Sequence, residues 1–461
     1  MSASCLAVAL PLSLGLAAYL LLHFFEPRFA ITWSYAHLHR HAVLPWLGLS
    51  LLVVVPALTV LAWQRPPARQ PPEPWSTRAL LAACVPLWLV LLALGTAFPA
   101  PLFSIDALYF ATAVKTGTGD NMRWYLLLWF FEHLAALVRP LVDWLGVIRG
   151  VHAALAAVAF LAVAGAARRL GRTRGEVTAI TLLALTAFGI VQVALGYTDV
   201  YPFPTAVLAV YCWVGLAAIA GELHPLWPAL IVAFGPFWYI GLVLLAPSLL
   251  VVVRESLRQA RGARRAAVAA AIGVLAAGLA TVPGYGRPFA WGAFLARVDV
   301  DRMSNLGLSP TSSLLPLDFM LSALHAREVV HTLLLIDGIG WLLLLVPGLW
   351  LALRSARVGW DAQAAFLALI VLPYLAYVVT MDPIFGSYAD WDLFSYGAVV
   401  TSLLGAYAFV VWGRGCPRAF AALLGVALAA AGVHLFARLN ALTVGLQDHL
   451  RESPYHLAAP P

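Results

Sequence analysis

Long apolar runs separated by short polar segments dominate the chain. A helix needs roughly 20 apolar residues to cross a bilayer, and lipid-exposed backbone must satisfy its own hydrogen bonds. The pattern therefore predicts an all-α polytopic membrane protein. The predicted spans are 5–24, 43–63, 79–98, 150–167, 177–197, 203–220, 265–284, 332–353, 362–381, 395–413 and 418–436.

The apolar stretch 224–253 is too long for one ordinary crossing. Gly235 and Pro236 interrupt it, and proline removes a backbone donor and favours a break. Two short helices fit this stretch better than one. Counting both gives about thirteen crossings.

Composition supports a membrane protein, because 62% of the residues are hydrophobic and only 11% are charged. The net charge of +7 comes from arginines in short connectors. With two crossings in 224–253, the main arginine connectors fall on one face, which the positive-inside rule makes cytoplasmic. The N-terminus is then cytoplasmic and the C-terminus outside. Without a basic domain, nucleic-acid binding is not expected.

The cysteines predict neither a disulfide nor a zinc site. Cys5, Cys84, Cys212 and Cys416 lie in predicted spans or cytoplasmic connectors. None forms a CxxC or Cys/His pair with the spacing of metal ligands.

The loops divide the chain into five segments. The run RWYLLLWFFEHLAALVRPLVDWLG in the second segment is amphipathic and predicts a helix lying along the membrane surface. The segments are N-terminal helices 1–98, an extracytoplasmic loop 99–149, a transmembrane core 150–284, a second extracytoplasmic loop 285–331 and C-terminal helices 332–461 with an acidic and aromatic loop 382–394.

Two acids follow span ends on the predicted outer face. Asp106 begins an Asp-x-x-Tyr unit with Tyr109, and Asp199 lies in the turn GYTDVYP between Tyr197 and Tyr201. A carboxylate at the membrane surface can act as a general base or hold a cation. Each acid is equally compatible with a helix cap.

The loop 382–394 contains Asp390, Trp391 and Asp392. Aromatic rings stack on sugar rings, and carboxylates accept hydrogen bonds from hydroxyl groups, so this unit fits a sugar-binding surface. The alternative is an aromatic belt at the membrane interface with solvated acids.

Arg287, Arg297 and Arg302 lie in the second outer loop, against the positive-inside tendency. Guanidinium binds phosphate bidentately, which makes these arginines candidates for a phosphate site. Pairing with acids of the same region is the alternative, namely with Asp299, Asp301, Asp318 or Glu328.

The order of these features resembles the GT-C superfamily of membrane glycosyltransferases. The similar segments are SIDALYF, RPLVDWLG, GVHAALAAVAFLAVAGAARRLGRTRGE and GYTDVYP, within residues 99–260. They resemble most the bacterial group of dolichyl-phosphate-mannose mannosyltransferases and aminoarabinose transferases. Arg139-Pro140-Leu141 departs from the group, which has a His-Pro-Pro-like segment there.

The resemblance implies an enzyme of the bacterial inner membrane with an extracytoplasmic active site. It implies inverting transfer of a sugar from a polyprenyl-phosphate donor to a glycan, lipid or protein acceptor. Asp106 matches the catalytic acid of the first loop, and Asp199 matches the second acidic position. Relatives act with or without a divalent metal ion, Mg or Mn, and both alternatives stay open.

Two other classes of function fit the pattern. A transporter or flippase for lipid-linked sugars would account for the broken helix at Gly235 and Pro236. A non-catalytic scaffold of the same fold would retain the spans without needing Asp106.

Overall fold

The computed structural model describes residues 3–25, 77–97, 114–115, 125–138, 141–187, 190, 200–259, 268, 270–275, 283–284, 287–288, 321–354, 361–380 and 391–444. These residues are almost entirely helical, as the apolar pattern predicts. One antiparallel pair of two-residue strands is the exception, β1 (Pro283–Gly284) and β2 (Arg287–Pro288), with Gly284 opposite Arg287.

The α-helices are numbered in chain order. They are α1 Ala3–Phe25, α2 Thr77–Ala97, α3 Tyr125–Val138, α4 Trp144–Leu170, α5 Arg174–Leu185, α6 Pro202–Ile219, α7 Leu226–Trp238, α8 Leu249–Arg258, α9 Ala323–Leu343, α10 Leu349–Arg354, α11 Ala362–Thr380, α12 Ala398–Gly413 and α13 Pro417–Val444. The 3-10 helices Ile240–Ser248 and Trp391–Gly397 lead into α8 and α12, and the π-helix Leu344–Gly348 joins α9 to α10.

Four helices of the described residues are long and apolar enough to cross a membrane. They are Trp144–Leu170, Pro202–Ile219, Ala362–Thr380 and Phe394–Gly413. Each overlaps a span predicted from sequence. The protein is therefore a multi-pass membrane protein. The predicted span 43–63 lies outside the described residues.

Several helices begin at polar caps that the sequence supplies. Asp143 accepts a hydrogen bond from Gly146 N (2.7 Å) at the start of α4. Thr173 Oγ1 accepts from Glu176 N (3.2 Å), and Arg172 N donates back to Glu176 (2.7 Å). Such caps satisfy the first N–H groups of a helix, which have no partner within it.

The core surrounds α12, which is buried along nearly its whole length. It packs against α9, α5 and α11. Gly405 allows the closest approach, because a Cβ atom there would lie 2.5 Å from the carbonyl oxygen of Gly340 in α9. Glycine at this crossing brings the two helix backbones together.

The arginine connectors gather at one end of the bundle, here called the basic end. Arg414, after α12, bonds Glu176 of α5 through Nε (3.1 Å) and Nη2 (2.9 Å). Arg169, near the end of α4, pairs with Glu222 after α6. The described connectors therefore meet on one face, as the arginine pattern predicts.

The stretch 224–253 reverses direction, as predicted. Helix α7 runs antiparallel to α6 and ends at Trp238, and the chain then returns through Ile240–Ser248 and α8. Gln259 Nε2, directly after α8, donates a hydrogen bond to Ile219 O at the end of α6 (2.8 Å). The segment from α7 to α8 therefore begins and ends at the basic end. The break comes after Trp238, and Pro236 is accommodated inside α7.

The expectation of no disulfide is wrong. Cys5 of α1 and Cys416, between α12 and α13, are disulfide-bonded with their Cα atoms 5.7 Å apart. The sequence separation of 411 residues gives no local signal for this pair. It forms because α1 packs beside α13, which brings the two thiols together at the basic end.

The amphipathic run of the first outer loop does form a helix, α3. It contacts α4 and α7. Leu137 of this helix is 77% exposed, as a lipid-facing side chain would be. Its predicted position along the membrane surface stays a prediction.

Candidate functional site

The end of the bundle opposite the basic end is lined by aromatic residues and is here called the aromatic end. Helix α6 begins there at Pro202 and reaches the basic end at Ile219, about 27 Å away at 1.5 Å per residue. Helix α7 ends beside the start of α6, because Trp238 stacks on Phe203 at 5.4 Å between ring centroids. The 3-10 helix Trp391–Gly397 also packs against α6.

Four buried tyrosines form the centre of this end. The ring of Tyr239 lies 6.1 Å from that of Tyr201 and 5.6 Å from that of Tyr396, and Tyr374 lies 5.9 Å from Tyr396. They come from α6, the end of α7, α11 and the 3-10 helix Trp391–Gly397. This group, called the tyrosine cluster, joins four separate parts of the chain.

Two hydroxyl groups of the cluster differ in their surroundings. Tyr374 donates a hydrogen bond to Phe394 O and so fixes the 3-10 helix against α11. The Tyr396 hydroxyl is buried and has no hydrogen-bond partner among the described residues. A Cβ atom on Gly241 would lie 2.9 Å from that hydroxyl, so the glycine leaves room for it.

The amphipathic helix α3 reaches the same end. Phe130 of α3 packs edge-on against Trp238, with 6.1 Å between ring centroids. Trp238 in turn stacks on Phe203. The first outer loop is thereby connected to the start of α6, the position where the GYTDVYP turn ends.

Most site residues predicted from sequence lie outside the described residues. Tyr201 is described, and it is buried in the tyrosine cluster. Arg287 lies in β2, and Trp391 and Asp392 lie in a 3-10 helix, with only their backbones described. Outside the described residues are Asp106, Tyr109, Tyr197, Asp199, Arg297, Arg302 and Asp390.

The described residues that directly follow two of the predicted acidic segments lie close together. Val200, directly after Asp199 in the chain, is buried at the start of α6. The 3-10 helix that begins at Trp391 contacts α6 and α9. Val200 and the 3-10 helix, which directly follow the two acidic segments in the chain, therefore both lie beside the tyrosine cluster.

No group of three His, Cys, Asp or Glu side chains among the described residues is placed to hold a metal ion. The acids predicted at the site lie outside those residues. The described part of the aromatic end thus offers aromatic rings and hydroxyl groups, which suit an organic ligand.

Sequence reasoning missed one buried acid, Asp337 of α9. Its side chain is 3% exposed and lies within an apolar run. An ionisable residue inside a span is itself a signal of function. Tyr239, Tyr374 and Tyr396 were also missed, because tyrosine at a span end is usual in membrane proteins.

Comparison with known proteins finds limited similarity. No protein-family model matches the chain, and no curated protein matches it. Among solved structures, the oligosaccharyltransferase of Archaeoglobus fulgidus in its apo form is 14% identical with a TM-score of 0.45, covering 80% of this chain and 57% of that one. The same enzyme tethered to an acceptor peptide containing the NVT sequon is 12% identical with a TM-score of 0.46, covering 84% and 60%. The match spans less than two thirds of the length of these two structures.

Proposed function

We propose that the protein is a membrane glycosyltransferase of the GT-C type, acting at the aromatic end. It transfers a sugar from a polyprenyl-phosphate donor to an acceptor hydroxyl of a glycan, lipid or protein on the extracytoplasmic side of a bacterial inner membrane. The observation that supports the proposal is the packing of the 3-10 helix Trp391–Gly397 against α6 at the tyrosine cluster, because these two elements directly follow Asp390 and the Asp199 turn in the chain.

The chemistry of this end fits a sugar carried on a lipid. Aromatic rings supply faces for a sugar ring, and carboxylates accept hydrogen bonds from its hydroxyl groups. Helix α3 has an apolar exposed side, and its Phe130 packs against Trp238 at the aromatic end. A ligand carried on a lipid would therefore contact α3 as it leaves the bilayer.

The proposed reaction is a single displacement at the anomeric carbon. The Asp106 carboxylate takes the acceptor proton, the acceptor atom forms the new bond to the anomeric carbon, and the bond from that carbon to the phosphate oxygen breaks. The phosphate leaves as an anion and keeps the bonding electrons. Arg287, Arg297 and Arg302 are the candidates to stabilise that charge. Asp199 is the second catalytic acid, and Asp390 and Asp392 bind sugar hydroxyl groups.

The test measures transfer of label from radiolabelled polyprenyl-phosphate sugars by membranes containing the chain. We expect the native chain to transfer label and Asp106→Asn to lose at least about 100-fold, the range for a general base. Glu222→Gln at the basic end is the matched control and should keep its activity. A parallel reaction with a chelator distinguishes metal-dependent from metal-independent transfer.

Equal activity of Asp106→Asn and the native chain would reject Asp106 as the base and direct the same test to Asp199. Inactivity of the native chain with every common donor would reject the proposal that the protein is a glycosyltransferase. Size-exclusion chromatography and thermal unfolding of each variant separate loss of chemistry from loss of folding.

A transporter of lipid-linked sugars is the second candidate, and one observation favours it. Helix α9 is broken at Asp337, a buried carboxylate within a predicted span. Broken helices with ionisable groups at membrane depth are typical of transporters. Movement of a fluorescent lipid-linked sugar across vesicles containing the chain, without transfer, would support this alternative.

A further inference from the structure

Helix α9 consists of two half-helices that meet at Asp337. The backbone of Asp337 is non-helical, with φ −161° and ψ 58°. Its Oδ1 atom accepts a hydrogen bond from Gly340 N (2.9 Å), as an N-cap does for the second half-helix. The first function of this carboxylate is therefore to cap the second half-helix.

The second carboxylate oxygen faces α12. Asp337 Oδ2 lies 2.6 Å from Thr401 Oγ1 and 2.6 Å from Ser402 Oγ. All three side chains are buried, with exposures of 3%, 1% and 1%. The break in α9 is thus joined to α12 by an oxygen cluster formed by Asp337, Thr401 and Ser402, here called the Asp337 site.

The Asp337 site lies deep in the bundle. Asp337 is roughly 20 Å along α9 from Ala323, at 1.5 Å per residue. His325, near the start of α9, bonds Val379 O (2.6 Å) at the far end of α11 and so lies several turns away. An ionised carboxylate at such depth is costly unless a positive charge accompanies it.

Among the described residues, the titratable groups that face the site from neighbouring elements are tyrosines. Tyr19 of α1 lies against Gly338, with its hydroxyl 3.0 Å from the position of a Cβ atom there. Tyr374 of α11 lies against Gly397, whose carbonyl oxygen is 3.3 Å from Thr401 Oγ1, and Tyr396 of the 3-10 helix lies against Tyr374. The π-helix Leu344–Gly348 carries no titratable side chain. None of the described salt bridges includes Asp337.

The geometry fits a proton better than a metal ion. Oxygen separations of 2.6 Å are those of O–H···O hydrogen bonds, and a metal ion between these atoms would push them apart. Thr401 Oγ1 also lies 3.3 Å from Gly397 O and 3.3 Å from Ala398 O. Its hydroxyl can turn its proton to those carbonyls and accept the proton of a neutral Asp337.

We propose that the Asp337 site binds an exchangeable proton inside the membrane and holds it at neutral pH. Proton and carboxylate combine to a neutral carboxyl group, so no net charge remains in the bundle. Both states keep their hydrogen bonds, because Thr401 changes from donor to acceptor as the proton arrives. The proton therefore sets the hydrogen-bond pattern between the halves of α9 and α12.

The test compares thermal unfolding of the native chain and Asp337→Asn in detergent from pH 5 to pH 9. Asn is a neutral mimic that retains an acceptor for Gly340 N. In the native chain the folded state holds a proton that the unfolded state has released. Raising the pH therefore lowers the stability of the native chain relative to the variant. We expect the Tm of the native chain to fall by a few degrees relative to Asp337→Asn.

Parallel Tm profiles of the two proteins would overturn the proposal. The same series is run with sodium and with choline, and a Tm rise that needs sodium in the native chain alone would replace the proton by a sodium ion. Should Asp337→Asn fail to fold, infrared spectra of the native chain and Thr401→Val decide. A carboxyl band at neutral pH that shifts in Thr401→Val supports the proposal, and its absence rejects it.

Discussion

At the scale of single residues, two glutamates of the basic end make ion pairs of unequal strength. Glu176 is 12% exposed and accepts hydrogen bonds from Arg414 Nε, Arg414 Nη2 and Arg172 N. Burial acts to raise the pKa of Glu176, but these hydrogen bonds and guanidinium charges outweigh it and lower the pKa. Glu222 is 43% exposed in its pair with Arg169.

We expect Glu176→Gln to lower the free energy of unfolding at pH 7 by about 1.5–3 kcal/mol, the range for hydrogen bonds to charged groups. A carboxyl whose pKa is lowered on folding stabilises above its unfolded pKa of about 4.3 and loses that effect as pH falls through the folded value. The difference between the native chain and Glu176→Gln should therefore shrink in acid. Thermal unfolding from pH 3 to pH 7 measures it.

Glu222→Gln is the control for this prediction. An exposed ion pair contributes about 0–1 kcal/mol, so this variant should unfold close to the native chain at each pH. Equal losses in both variants, or a loss in Glu176→Gln that does not change with pH, would contradict the interpretation of the Glu176 site.

Residues also show how far the candidate site could be predicted from sequence. Tyr201 was identified because it adjoins an acidic turn, and it lies in the tyrosine cluster. Tyr239 and Tyr396 reach the same place from other helices, and only packing brings them together. Asp337 could have been recognised from the sequence, because it is a single acid within an apolar run. Nothing in the sequence around Thr401 and Ser402 indicates that they contact it.

At the scale of elements, the crossing of α9 and α12 depends on glycine. A Cβ atom on Gly405 would lie 2.5 Å from Gly340 O and 3.2 Å from Leu344 N. Both neighbours are backbone atoms and cannot turn aside as a side chain can. We expect Gly405→Ala to lower the free energy of unfolding by about 1–3 kcal/mol, the cost of overpacking.

Gly432 of α13 gives a matched control, because a Cβ atom there meets nothing within 4 Å. Gly432→Ala should be neutral or stabilise by about 0.5–1 kcal/mol, since alanine favours a helix. Denaturant unfolding in detergent compares the two variants. Equal effects would show that the α9 and α12 contact does not require glycine.

Element positions were the most predictable part of the fold. The span 203–220 matches α6 (Pro202–Ile219), because an apolar run of membrane length admits few other structures. The pairing of helices was not predictable in the same way. Nothing local in Gly340 or Gly405 indicates which backbone each glycine meets, since that depends on contacts across 65 residues of chain.

At the scale of the whole molecule, the disulfide ties the first described helix to the last. Cys5 and Cys416 are 5% and 7% exposed, and this burial shields the sulfur atoms from an attacking thiolate. Cys84 and Cys212 carry free thiols. Denatured but unreduced protein should therefore bind polyethylene-glycol maleimide at Cys84 and Cys212 alone, and reduced protein should bind it at all four cysteines. Labelling of all four without reductant would contradict the bond.

The same bond tests the orientation of the chain. It lies at the basic end, which the positive-inside rule assigns to the cytoplasm, where thiols are normally kept reduced. Arg258 lies at the same end, beside Gln259, and its side chain is 64% exposed. In Arg258→Cys, a membrane-impermeant maleimide added to intact cells should leave the new thiol unlabelled, whereas permeabilised cells should be labelled there. Labelling in intact cells would place the basic end outside, move the tyrosine cluster to the cytoplasm, and remove the extracytoplasmic site from the proposed reaction.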